Sequence, residues 1–223
     1  MLSIIIPTLN AEKKLPATIA SLKVSGISSE FIIADGGSSD RTPNIAAEHG
    51  AKFIATLGGR GAQMASGAMY SSGDWLLFIH ADTHPQPGWS YIAKNFIKDP
   101  KNRFHAAYFK FSLNDSAPAA RRLERIVEWR CRTLGLPYGD QGLLISKEFY
   151  DLIGGIAPIP LMEDVDIVRR IGSKRLTQLN SAAVTSAERY RTNGYWLRPA
   201  KNLFCLGLYF AGFSPRLIAG LYK

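Results

Sequence analysis

Residues Trp75–Pro85 read WLLFIHADTHP. The apolar run Trp75 to Ile79 leads directly into His80, Asp82 and His84. Such a run suits a strand covered on both faces, as in a parallel sheet. An unpaired carboxylate at the tip of a buried strand is costly. Either the strand surfaces at Asp82, or its tip opens onto a cleft that uses these groups.

The neighbouring segments favour the cleft. Leu2–Ile6 is a short β-branched run stopped by Pro7, and Phe31–Ala34 and Lys52–Ala55 have the same character. Between these runs, the stretch after Asn10 predicts a capped helix with Leu15, Ile19 and Leu22 on one face. Residues 41–49 and 63–72 also read as helices. Strand and helix alternating at this spacing predict a parallel sheet with helices on both faces. Ligands bind such sheets at the carboxyl ends of the strands, so Thr8 and Asn10, Asp35, and His80 with Asp82 are expected to line one crevice. Beyond residue 100 the pattern changes. Residues 103–113 predict a longer half-exposed strand, 118–134 a basic helix, 142–146 a short strand and 164–170 the start of a helix. The tail from Tyr195 reads as a hydrophobic helical appendage (195–223) to a main domain of residues 1–194.

The bulk composition, 46% apolar and 20% charged over 223 residues, is that of one folded domain. The net charge of +9 favours an anionic partner. Two cysteines exclude a disulfide scaffold or a metal knuckle and point to a reducing, cytoplasmic compartment. MLSIIIPTLN lacks the charged start and long apolar stretch of a signal peptide. The uncharged stretch Leu203–Phe213 is shorter than the ~20 residues of a spanning helix. Its readings are core packing, homodimer contact, or peripheral membrane contact aided by Lys201, Arg216 and Lys223.

Several polar turns offer chemistry. In Asp35-Gly-Gly-Ser-Ser-Asp40, Asp35 suits a base or ribose, while Asp40 reads as a helix cap. Gly58-Gly-Arg60-Gly-Ala-Gln63 precedes a helix, so Arg60, Gln63 and free backbone N–H groups suit a phosphate; a plain flexible loop is the alternative. Asp82, with His80 or His84, offers an oxygen-rich site for Mg²⁺ or Mn²⁺. Glu163-Asp164 and Asp166 either complement a helix dipole or supply a general base. Tyr138-Gly-Asp140-Gln141-Gly142 is a polar turn able to contact a sugar or acceptor, as is His80.

In order, LSIIIPTLN, IIADGGSSDRT, LLFIHADT and MEDVDIVRR resemble the motifs of the inverting nucleotide-sugar glycosyltransferases of family 2, with the GT-A fold, over residues 2–170. The resemblance implies an α/β, Rossmann-like, mostly parallel sheet followed here by a C-terminal helical segment. It implies that Pro7, Thr8, Asn10 and Asp35 hold a UDP- or GDP-linked donor. It further implies that Asp82, with His84, binds Mn²⁺ or Mg²⁺, and that Asp164, supported by Glu163, deprotonates the acceptor. HADT and GRGAQ also resemble the short members associated with arsenosugar biosynthesis.

The chain departs from the pattern where His80 replaces the first Asp of D-x-D, and where Q-x-x-R-W is missing, leaving Arg189-Tyr190-Arg191 and Trp196. Polymer synthesis is therefore not expected. The acceptor is expected to be a small molecule or lipid-linked, and nucleic acid is not an expected partner. The alternatives are a sugar-phosphate nucleotidyltransferase and a non-enzymatic basic protein binding membrane or nucleic acid. The former is disfavoured by Pro7-Thr8-Leu9-Asn10 in place of a Gly/Arg-rich loop.

Overall fold

The computed structural model describes residues 1–23, 26–195 and 197–222; Trp196 and Lys223, weighed above for the tail, lie outside the described residues. Strands β1 (Leu2–Thr8), β2 (Ser29–Asp35), β3 (Lys52–Ala55) and β4 (Trp75–Phe78) run parallel in the order β3-β2-β1-β4. They are joined by α1 (Leu15–Leu22), α2 (Thr42–Glu48) and α3 (Arg60–Met69). Beyond β4 the sheet becomes mixed. β7 (Leu143–Ser146) pairs antiparallel with β4 and with β6 (Ala106–Leu113). β8 (Leu176–Thr185) then runs parallel to β6, and β5 (Thr83–Pro85) closes the edge antiparallel to β8.

Alternation along β1 divides the core between two faces. Leu2, Ile4 and Ile6 pack with Leu15, Ile19 and Leu22 of α1 and with Trp89, Ala93 and Phe96 of α4 (Trp89–Lys98). Ile5 faces the other way, toward α3 and α7 (Glu163–Ile171). On that side α3 lies so close to β1 that a Cβ on Gly67 would fall 2.4 Å from Ile5 Cγ2, so the position requires glycine. α5 (Pro118–Leu134) covers β6 through Leu123, Val127 and Cys131, and α6 (Lys147–Leu152) follows β7. After α8 (Glu188–Asn193), the tail forms α9 (Leu197–Phe210) and α10 (Pro215–Tyr222). Their Cys205, Leu206 and Ile218 are buried in the core on the α7 side.

Some expected boundaries move. The first helix starts at Leu15 rather than after Asn10, which takes a left-handed φ of 51° and caps nothing. Residues 60–62 are already helical, and the strand expected from Arg103 starts at Ala106 after a 3-10 turn over Pro100–Phe104. α4, β5 and β8 were not legible. β8 (LTQLNSAAVT) carries polar residues at exposed positions, so its pairing with β6 settles what its sequence does not.

Candidate active site

The parallel strands place their carboxyl ends on one side of the sheet, and β7, running oppositely, brings its entry loop to the same side. The tip of β4 opens there onto a cavity lined by Arg60, His80, Asp82, Asp140 and Asp164. The strand therefore does not end in polar groups by surfacing; it ends at a cleft.

Each acid is positioned by identifiable local structure. Met162 precedes α7 with φ 67°, an unfavourable conformation for a side chain with a Cβ, and turns the chain so that Glu163 and Asp164 open the helix. Asp164 Oδ2 accepts from the Gly139 N–H at 2.8 Å, and its Oδ1 from the Val165 N–H at 2.8 Å. Gly139 is tightly placed: a Cβ there would lie 2.9 Å from His80 Nε2 and 3.5 Å from Asp164 Oδ2. Glu163 is fully buried and receives the Arg60 Nε–H on Oε1, while its Oε2 has no hydrogen-bond partner. Burial alone would lower the Arg60 pKa; the carboxylates of Glu163, Asp164 and Asp140 outweigh it and hold the guanidinium firmly charged. Burial raises the Glu163 carboxyl above its ordinary range, Arg60 opposing.

The start of α3 is not an open anion cradle. A Cβ on Gly61 would lie 2.5 Å from Ile159 O and 2.6 Å from Ala157 O, so residues 157–160 cover it. Arg60 reaches the cavity by its side chain instead.

Thr8, Asp35 and Gln63 meet at the ends of β1 and β2. Thr8 Oγ donates to Asp35 Oδ1 at 2.8 Å, and Gln63 Nε2 donates to Thr8 O at 2.6 Å. Asp35 Oδ2 accepts from the N–H groups of Gly37 and Ser38 at 2.9 and 2.7 Å. All three side chains are buried, so they shape the turn that borders the crevice. Exposed Asn10 accepts from Ser39 N at 3.0 Å, tying the two loops together. Pro7 is buried within β1, beyond the last register position with β4, where its missing N–H costs the ladder least. Asp40 Oδ1 accepts from the Thr42 N–H at 2.9 Å, but the N-cap of α2 is Arg41, so Asp40 closes the turn ahead of the helix rather than capping it as expected.

Two further residues are placed away from the cavity. His84 is not among the lining residues; its Nε2 is buried without a hydrogen-bond partner, and burial lowers its pKa against the opposing Asp82 charge. Gln141, expected at a sugar, is fully buried. Its Nε2 donates to Phe109 O at 3.1 Å and its Oε1 accepts from Tyr138 N at 3.2 Å, so it pins the 138–142 turn. Sequence reasoning missed Arg130, which stacks 3.4 Å from the Tyr138 ring centroid and donates to Leu136 O at 2.9 Å, fixing the same turn. It also missed Thr185, Asn202 and Tyr222, which reach the cavity from β8 and the tail. A lone Asn or Tyr in a hydrophobic tail carries no signal of this kind.

Asp140 also faces the cavity. Its enclosure by protein pushes its pKa up to about 6; Arg130 and Arg60 oppose this, and Asp164 and Asp82 add to it. Its Oδ1 has no hydrogen-bond partner. Three carboxylates around one cavity suit a cation, although among the described residues no group of three or more His, Cys, Asp or Glu is arranged to hold a metal alone. Asp82 and Asp140 therefore fit a hard divalent ion that takes its remaining oxygens from a bound phosphate ligand.

A pH prediction follows from Asp140. Its folded pKa lies above its ordinary value of 3.8, so the folded state binds the proton more tightly. The contribution of Asp140 to stability is thus fully present below pH 3.8 and is lost as pH rises through about 6. Asp140→Asn is expected to raise stability by about 1–3 kcal/mol at neutral pH and by little in acid, measured by denaturant midpoints.

The sequence matches the profile described as Glycosyl transferase family 2 over residues 3–153. The chain belongs to glycosyltransferase family 2. It is 38% identical over 89 residues to a 4,4'-diaponeurosporenoate glycosyltransferase of Staphylococcus haemolyticus, a match spanning 36% of this chain and 24% of that one. Among solved structures it resembles S. aureus TarS 1–349 in complex with UDP-GlcNAc, with TM-score 0.65, 16% identity, and 83% of this chain and 58% of that one covered. It also resembles glucosyl-3-phosphoglycerate synthase from Mycobacterium tuberculosis in complex with Mn²⁺, UDP and glucosyl-3-phosphoglycerate, with TM-score 0.57, 20% identity, and 83% and 70% covered. This family 2 chain thus has the GT-A fold, and spans about a quarter of the curated relative and just over half of the TarS fragment.

Proposed function

We propose that this chain transfers a sugar from a nucleoside-diphosphate sugar to an acceptor hydroxyl with inversion at the anomeric carbon. The observation that carries the reading is the convergence of Asp82, Asp140 and Asp164 with Arg60 on one cavity at the carboxyl side of a family 2 sheet. Asp164, oriented by the Gly139 and Val165 N–H groups, takes the proton of the acceptor hydroxyl. The acceptor oxygen forms its bond to the anomeric carbon on the face opposite the diphosphate, and the electron pair of the breaking bond leaves with the nucleoside diphosphate. Arg60 places positive charge beside the cavity, held by Glu163. A divalent cation, Mn²⁺ or Mg²⁺, held by Asp82 and Asp140, would neutralise the departing diphosphate. The Thr8–Asp35–Ser38 corner supports the nucleoside end, and UDP in the solved relatives favours a uridine donor.

Thermal denaturation with UDP, GDP, CMP and NAD, each with and without Mn²⁺, tests this reading. One nucleoside diphosphate at a hundredfold excess over its Kd is expected to raise the midpoint by about 5–10 °C. The shift should grow with Mn²⁺ and disappear in Asp82→Asn. No shift with any of them sinks the reading.

A further inference from the structure

The tail presents an apolar surface that the fold leaves uncovered. Cys205 and Leu206 of α9 and Ile218 of α10 are buried in the same core, so the opposite sides of both helices face outward. Those sides, with the turn between the helices, expose Leu203, Phe204, Phe210, Phe213, Leu217 and Leu221, each between 50% and 66% accessible. A helix pair apolar on both sides has one side for the core and another for an apolar partner. Among the described residues, no helix is long and apolar enough to cross a bilayer, so the surface can lie on a membrane but not span it.

Charge selects the partner. After Glu188 the chain carries Arg189, Arg191, Arg198, Lys201, Arg216 and Lys223, and no acidic residue. Of these, Lys201 on α9 and Arg216 on α10 are exposed beside the apolar surface. A second copy of a chain of net charge +9 would bring like charges together across this face. An anionic bilayer instead accepts both the apolar side chains and the basic ones that flank them.

We propose that the α9–α10 hairpin docks the protein on anionic membranes, with Phe204, Phe213 and Leu217 entering the interface. The docking stands independently of the chemistry in the cavity. Because Asn202 and Tyr222 of the same hairpin line that cavity, their 2.8 Å hydrogen bond ties the docking element to its rim. A lipid-linked acceptor is then the class this placement serves, an extension that rests on the transferase reading.

Co-sedimentation of the full chain with vesicles of phosphatidylcholine, or of equal phosphatidylcholine and phosphatidylglycerol, tests the docking. The chain is expected to pellet with the anionic vesicles and to remain largely in solution with the neutral ones. Phe204→Ser/Phe213→Ser/Leu217→Ser should lower partitioning at least about tenfold. Arg216→Glu should weaken it and reduce its sensitivity to salt. All three serine positions are exposed, and an unchanged thermal midpoint verifies the fold. Failure to pellet, or pelleting unaffected by the triple variant, overturns the proposal. So does a dimer that the triple variant dissociates while wild type ignores vesicles. No nucleotide sugar is present in the assay, so its failure is distinguishable from failure of the transferase reading.

Discussion

Asp164→Asn is expected to lower kcat by about 10³-fold while leaving donor binding nearly unchanged, within the range for loss of a general base. The amide keeps the shape of the side chain, and its oxygen can still accept the Gly139 N–H that now reaches Oδ2 at 2.8 Å. What it loses is the ability to take a proton. Steady-state release of nucleoside diphosphate measures the effect, and a loss smaller than tenfold would remove Asp164 from the role of base. Asp140 is the competing carboxylate, because its raised pKa of about 6 suits proton transfer near neutrality. In the proposed mechanism it is given to the cation instead, because the charges of Asp164 and Asp82 act on it and its Oδ1 is unpartnered. The two assignments differ in outcome. Added Mn²⁺ should partly rescue Asp140→Asn by mass action and should leave Asp164→Asn unrescued.

Arg60→Met is expected to destabilise the fold by about 3 kcal/mol at neutral pH, in the range for a broken buried ion pair. Glu163 is fully buried, its Oε1 is held by Arg60, and its Oε2 has no other partner. Removing the guanidinium leaves a buried carboxylate with no countercharge. The expected value sits at the low end of that range because the Arg60 side chain is itself 37% exposed and part of its interaction is screened by water. The sign with pH is fixed by Glu163. Burial already raises its carboxyl, and loss of Arg60 raises it further, so the group protonates more readily in the folded state. The deficit is therefore largest at high pH and shrinks as pH falls, which denaturant midpoints across the acid range will show. The double variant Arg60→Met/Glu163→Gln should recover most of the loss. Destabilisation independent of pH would mean that Arg60 acts by packing alone.

Within the sheet, legibility followed the range of the interactions. The strands through β4 are short, largely apolar runs, and local patterning is enough to declare them. The 118–134 helix was legible to the residue, because a proline opens it and Gly135 ends it with a left-handed φ of 60°. α4, β5 and β8 were not, since their identity comes from partners far along the chain.

The same division runs through the site. Asp82 and Asp164 are legible because a carboxylate after a buried strand or at a helix start carries a physical cost that local sequence displays. Thr8, Asp35 and Gln63 were each singled out from separate segments, and the structure shows that Thr8 donates to Asp35 and Gln63 of α3 donates to Thr8 O. Only the folded chain shows which polar groups satisfy one another and which stay open toward the cleft. Sequence by itself determined the parallel half of the sheet, the end of it that carries chemistry, and the acids worth testing. Tertiary structure decided that Gly139 orients Asp164, that Arg130 and Gln141 hold the turn between them, and that the tail reaches the cavity. Those contacts join residues from different elements, and no local propensity encodes a meeting of side chains that the chain brings together only when its hydrophobic faces are buried.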